Sequence, residues 1–230
     1  MVEFGDDLSI TYVMGGLARR FDDPAAMIVP WLDAADRSRM PVDPRLWVDA
    51  PLSSSYPACM AVKAAAEQGP EAAGRYLRAL REGLFCFRRK LDSVEALVEE
   101  ARGAGLDAAR FRVDLESNAT VEAFGADLEE TRSFTDLALP SLRFDDRLVS
   151  GAAPYSEWRA AALAAGGTPV AQPPLSPLDA VLRFGRTASI EVEAVCDLPG
   201  PAAELSLWQL ASEWRIRPLR VLTGVLWERA

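Results

Sequence analysis

The chain has no histidine in its 230 residues and only three cysteines, Cys59, Cys86 and Cys196. The first absence removes the commonest general base, the Ser-His and Cys-His nucleophile pairs and the commonest metal ligand. Three scattered thiols supply no zinc spacing and cannot all pair, unlike a secreted disulfide framework. A reducing cytoplasm is the expected compartment. Lysine is scarce too: of 25 basic residues only Lys63 and Lys90 are Lys, against 34 acidic residues and a net charge of −9. Phosphate contacts need a basic face, so neither nucleic acid nor an anionic membrane is an expected partner. No apolar run approaches the roughly 18 residues of a membrane span. The opening "MVEFGDDLSI" lacks the basic and apolar regions of a signal peptide. There is no Walker loop, no G-x-G-x-x-G and no G-x-S-x-G, so no nucleotide or other cofactor is expected.

What is present falls into three patterns. "LSITYVMGG" (8–16) alternates with period 2 and predicts a strand ended by Gly15-Gly16. Residues 22–55 are rich in proline and turn formers and predict a linker with room for one short helix. From about 55 to 130 the spacing turns helical. Ser55 is the expected N-cap of the first helix, with Tyr56 and Pro57 in its first turn. Tyr76, Leu80, Leu84, Phe87 and Leu91 form an apolar stripe. Ser93 opens a capped helix that stops near Gly103 and Gly105, and 107–117 and 118–133 predict two more.

After 133, "LALPSLRF" and "RLVSGAAP" flank Asp145-Asp146 as a probable hairpin, and "PYSEWRAAALAAGG" predicts a helix. "TPVAQPPLSP" marks a boundary. Beyond it, "SPLDAVLRFG", "ASIEVEAVCDLPG" and "PAAELSLWQLASEW" predict three helices, and "RIRPLRVLTGVLWERA" two strands joined at "TG". That order is winged-helix-like.

The order of strand, long helical stretch, hairpin and helix resembles the DsbA-like branch of the thioredoxin fold. "YPACMAVKAAAEQGPEAAGRYLRALREGLF" is similar to the first helices of the helical insertion in FrnE-type proteins, and "GLDAARFRVDLES" to its later ones. "LALPSLRF" with "RLVSGAAPYSEWRAAALAAGG" is similar to that family's cis-proline loop, hairpin and last helix. The likeness covers about residues 8–167. It implies an α/β thioredoxin-like fold divided into 1–52 with 131–168 and a helical insertion at 53–130, to which the element pattern adds a winged-helix-like extension at 174–230. It also implies thiol-disulfide oxidoreductase or isomerase activity on a thiol or disulfide peptide or protein. Leu139 and Pro140 match the cis-proline step, and Ser54, Ser55 and Cys59 border the cleft. The family's CxxC lies ahead of the segment that "VEFGDD" matches, so no catalytic residue can be named in this chain. A late start and a lost active-site segment both account for that.

Two readings of Cys59 are open. A thiol in a helix's first turn has its thiolate favoured by the helix dipole. Cys59, Val62 and Ala66 also share one helical face, and free cysteine is among the most buried residue types, which favours a packed, inert thiol. Cys86 has Arg88, Arg89 and Lys90 nearby but adjoins the apolar stripe. Cys196 reads as core. Gly15-Gly16 could cradle a phosphate or simply turn the chain. Asp145-Asp146 could hold a metal but fits a hairpin turn better. The last helix has two glutamates and no basic residue, so a packing or dimerisation role is expected before DNA reading. The alternative to an oxidoreductase is a non-catalytic thiol- or peptide-binding module, with a transcription-associated winged-helix protein behind it.

Overall fold

The computed structural model describes residues 2–230. Residues 8–17 depart from expectation at once. Their exposure alternates with period 2 as a strand's would, and Tyr12 and Met14 pack against a helical core, but no strand lies beside them among the described residues. Alternation records which side is covered. A strand needs a neighbouring backbone as well.

The proline-rich stretch is more helical than expected. Pro24 opens a short 3-10 turn that leads into α1 (Ile28–Ser38), and α2 (Leu46–Asp49) follows. Pro30 lies in the first turn of α1, where a missing N–H costs no helical bond. Trp31, Trp47, Phe21 and Phe85 meet there, with edge-on contacts at 4.9 and 5.3 Å between Trp47 and its aromatic neighbours.

The helical layer follows as α3 (Tyr56–Ala66), α4 (Pro70–Phe85), α5 (Val94–Gly103), α6 (Ala108–Leu115) and α7 (Asn118–Ser133). Short polar side chains set the starts of the last three. Ser93 accepts from Ala96 N, Asp107 from Ala109 N and Arg110 N, and Ser117 from Thr120 N. Gly69, at φ +108, permits the sharp entry to α4. α3 through α6 share one core that includes Val62, Tyr76, Leu80, Leu97 and Phe111. Ala66 is exposed. The face expected for α3 is instead carried by Ala58, Ala61, Val62 and Ala65, whose small side chains let neighbouring helices approach closely.

The expected hairpin is present. β1 (Leu142–Phe144) pairs antiparallel with β2 (Arg147–Val149), and Asp145 turns the chain at φ 49. α8 (Tyr155–Ala164) follows. The break at 168–176 has no regular structure and folds back on the start of the chain: Val170 N donates to Glu3 O at 2.7 Å and Gln172 Nε2 to Val2 O at 2.8 Å.

The C-terminal unit runs α9 (Pro177–Phe184), β3 (Thr187–Ala188), α10 (Ser189–Cys196), α11 (Gly200–Ser212), β4 (Ile216–Val221) and β5 (Gly224–Arg229). Its sheet has the order β3-β5-β4, with Ala188 opposite Leu226 and Val221 opposite Gly224. This is the winged-helix-like order, completed by β3, which is too short for its period to show in sequence. Trp227 is fully buried on Val181, Val192 and Leu207. The whole is a helix-rich mixed α/β chain with two small antiparallel sheets.

An ion network ties this unit to α4. Arg78 pairs with Glu82 at 2.6 Å and with Glu191, and donates to Arg186 O at 2.6 Å. Arg186 reaches Glu82 and Glu228, at 2.9 and 2.8 Å. Burial alone would lower the Arg78 pKa; Glu191 and Glu82 outweigh it and hold it above the ordinary guanidinium value. Burial would raise Glu228, but hydrogen bonds from Arg186 and Arg217 win and lower it. A carboxylate with a lowered folded pKa stabilises above its unfolded pKa, and that contribution is lost as pH falls through the folded value.

Removing Arg78 takes from Glu191 its arginine partner and leaves Glu82 with Arg186 alone. Arg78→Ala is expected to cost about 3 kcal/mol and lower Tm by roughly 5–10 °C in thermal denaturation. Arg78→Lys should recover only part of this, because one ammonium cannot serve both carboxylates and a carbonyl. A Tm within 2 °C of the parent would contradict the assignment.

Candidate functional site

Ser55 stands at the N-cap of α3 as expected, and its carbonyl accepts from Cys59 N at 3.1 Å, but its side chain is used differently. Ser55 has helical dihedrals and its hydroxyl does not cap the helix. Ser54 Oγ accepts from Tyr56 N at 3.0 Å instead. This frees Ser55 for Ala18. Its N and Oγ both donate to Ala18 O at 3.0 Å, and its Oγ accepts from Ala18 N at 2.9 Å. Ser54 Oγ adds a longer bond to the same carbonyl, and Phe21 N donates to Ser53 O at 3.0 Å. The segment after Gly16 is thereby fixed against the helix start.

Gly16 sits at φ +60, and a Cβ there would fall 2.7 Å from Leu128 and about as close to Tyr56 and Phe124. The glycine is needed for close packing against aromatic rings, so the phosphate-cradle reading does not hold. One turn into α3, Cys59 is buried. Its thiol is pushed up to about 11 by burial and by the charge of Asp127, partly offset by a hydrogen bond from the Gly16 backbone. The dipole of α3 does not overcome this. Of the two readings, the structure favours the packed one, since Cys59 is buried.

Lys63, four residues on, was not singled out from sequence. Its Nζ donates to buried Asp127 at 2.9 Å, while the other Asp127 oxygen accepts from Met14 N at 2.7 Å. One carboxylate of α7 therefore holds both α3 and the extended segment. The available signal was rarity: Lys63 is one of two lysines and lies one helical turn from Cys59.

Leu139 and Pro140 lie apart from this arrangement in their hydrogen bonding. Their peptide bond is cis and both side chains are exposed. Ala138 N donates to Ser150 Oγ, and Gly151 N to Ala138 O, so the loop is fastened to the end of β2. Among the described residues no hydrogen bond links this loop to Ser54, Ser55 or Cys59. The other thiols are equally unsuited to attack. Burial pushes Cys86 up to about 11, and its Sγ donates to Pro41 O at 3.2 Å. Burial also raises buried Cys196. Among the described residues no group of three metal-ligating side chains gathers, and no helix is long and apolar enough to cross a membrane.

A protein-family model described as thioredoxin matches residues 1–154. The chain belongs to the thioredoxin family. A solved structure described as a candidate protein disulfide isomerase from Nitrosomonas europaea shares this thioredoxin-like fold. It has a TM-score of 0.55 at 15% identity and covers 61% of this chain and 72% of that one. Among curated proteins, the ClpXP adapter protein SpxH of Halalkalibacterium halodurans is 32% identical over 205 residues, 86% of this chain and 67% of that protein. The proteins of the same name from Bacillus subtilis and Shouchella clausii are 29% and 31% identical, again over 86% of this chain and over 70% and 68% of theirs. The curated relatives thus carry the family's fold under the name of an adapter.

Raised thiols give a direct test. At pH 7.5 all three cysteines should react with a disulfide reagent far more slowly in the native chain than in urea, with rates rising about tenfold per pH unit. The Cys59 shift also has a sign. A folded pKa above the ordinary thiol value stabilises the fold below that ordinary value, and the contribution is lost as pH rises toward about 11. Cys59→Ala should flatten the alkaline limb of a Tm-against-pH curve. A native thiol that reacts as fast as free cysteine at pH 7.5 would overturn this account.

Proposed function

We propose that this chain is a thioredoxin-fold adapter: it binds another protein without thiol exchange and brings it to ClpXP. The observation that carries the reading is the extent of the likeness to the SpxH adapters. At 86% of this chain it runs past residue 154 into the C-terminal unit. The thiol geometry supports it. Attack on a disulfide needs a thiolate, and burial holds Cys59 and Cys86 at about 11. The three thiols, each raised rather than lowered, give the oxidoreductase reading less support than the adapter reading.

In this reading Ser54, Ser55, Cys59, Leu139 and Pro140 border the protein-binding surface, with Cys59 as packing. The exposure of Leu139, at 62%, supports the part given to that loop. The division into 1–52 with 131–168, 53–130 and 174–230 is part of the proposal. Separate cores in α3–α6 and in the C-terminal unit support it. A reducing cytoplasm is the proposed setting, in keeping with three free thiols.

The test uses the full chain and a variant with Cys59→Ala, Cys86→Ala and Cys196→Ala. Both should form a complex with purified ClpXP in analytical ultracentrifugation, with affinities within about twofold, and neither should reduce insulin. Absence of any complex would sink the adapter reading. Insulin reduction abolished by the triple substitution would restore the oxidoreductase.

A further inference from the structure

The seam between α1 and the C-terminal unit holds an open groove of about 410 Å³. Its walls come from parts of the chain far apart in sequence. Leu32 and Asp36 belong to α1, Pro41 follows that helix, Ile190 belongs to α10, Glu204 to α11 and Val225 to β5. The walls are fixed to each other. Arg39 is held by both oxygens of buried Glu193, at 2.7 and 2.6 Å. Val42 N donates to Thr223 Oγ1 at 2.7 Å, and Thr223 N returns a bond to Val42 O. Gly224 lies against Pro41, where an added Cβ would be 3.3 Å from the ring. The groove is therefore in place before anything enters it, which lowers the ordering cost of binding.

Its chemistry is one-sided. Pro41, Ile190 and Val225 contribute an apolar part of its lining beside polar Ser189 and Thr223, and Leu32, also in the lining, is 39% exposed. Asp36 and Glu204 rim it, and among the described residues neither makes an ion pair, while the one guanidinium present, Arg39, is taken by Glu193. Outside the rim α11 continues with Leu205, 60% exposed, and Trp208, 43% exposed. On a winged-helix-like unit that face would meet DNA, yet here it offers carboxylates and apolar side chains, which repel phosphate. The whole chain adds its charge of −9.

We propose that this groove is a docking site for a basic-apolar segment of a partner protein. An aliphatic side chain packs on the apolar part of the lining, and a Lys or Arg three or four residues away reaches Asp36 and Glu204. The proposal rests on the adapter reading and adds the chemistry of what is recognised. A second copy of this chain is the less suited occupant, because two surfaces of net charge −9 repel at long range.

The test measures fluorescence anisotropy with a labelled 12-residue peptide of leucine and lysine in helical spacing, and a matched peptide with glutamate for lysine. The leucine–lysine peptide should bind, more weakly at high salt. Asp36→Lys with Glu204→Lys should weaken it at least about tenfold and bring in the leucine–glutamate peptide, a gain that a misfolded variant cannot give. Glu122→Lys with Glu129→Lys, on exposed positions of α7, is the charge-matched control and should leave binding within about twofold. Equal loss in both pairs, no gain for the glutamate peptide, or self-association abolished by the groove pair would each overturn the proposal. The measurement contains no ClpXP, so its failure is distinct from failure of the adapter reading.

Discussion

The arrangement of this chain hangs on one guanidinium, that of Arg78. It lies on α4, inside the helical layer, yet its partners Glu191 and Arg186 O belong to the C-terminal unit. Glu82, one turn along the same helix, is shared between Arg78 and Arg186, and Glu228 passes the connection on to β5 and to Arg217. Ion pairs on an open surface contribute little. These are different, because the seam also carries apolar side chains: Phe87, Cys86 and Met40 pack against Ala188, Val221 and Leu226. Arg186 lies over the Phe87 ring at 5.2 Å. Arginine suits this place because a planar fork can serve several acceptors at once. The scarcity of lysine is consistent with a molecule whose charged groups act as joints.

Much of this was legible in advance, and the exceptions have physical reasons. The α4 stripe, the Ser93 start, the Asp145 turn and the order of the C-terminal unit follow from local rules of spacing, capping and turn chemistry. The segment 8–17 was misread because period-2 alternation reports one covered face, whereas a strand also requires a partner backbone. The N-cap position of Ser55 follows from local rules, but the use of its hydroxyl does not: it bonds Ala18, 37 residues away, and Ser54 bonds the Tyr56 N–H instead. Pro30 hid a helix because proline breaks one only beyond its first turn. β3 has two residues, too few to show any period.

The site was less legible than the fold. Cys59 had two sequence-level readings, and the helix dipole and burial pulled its thiol in opposite directions. Burial wins because Cys59 lies among the buried Ala58, Ala61 and Val62 of α3, and the nearby Asp127 carboxylate adds a smaller push in the same direction. Lys63 and Asp127 were invisible as a pair, since 64 residues separate them. The groove rim is invisible for the same reason: Asp36 and Glu204 are ordinary surface acids until the seam brings α1 and α11 together.

The thioredoxin fold is one scaffold, and its chemistry depends on what is placed on it. Here Cys59 and Cys196 are buried and Cys86 half-buried, and charged side chains with fewer partners lie elsewhere. Glu193 neutralises Arg39 and Asp127 neutralises Lys63. Asp36 and Glu204 keep their charge at the edge of a partly apolar groove. Neither carboxylate makes an ion pair among the described residues, although Glu204 lies close enough to Arg39 to act on its charge, so both retain capacity for an incoming cation. That makes the seam both the joint that orders the two units and the surface on which their combined shape can be read, so a substitution that loosens Arg78 should be felt in binding at the groove as well as in stability.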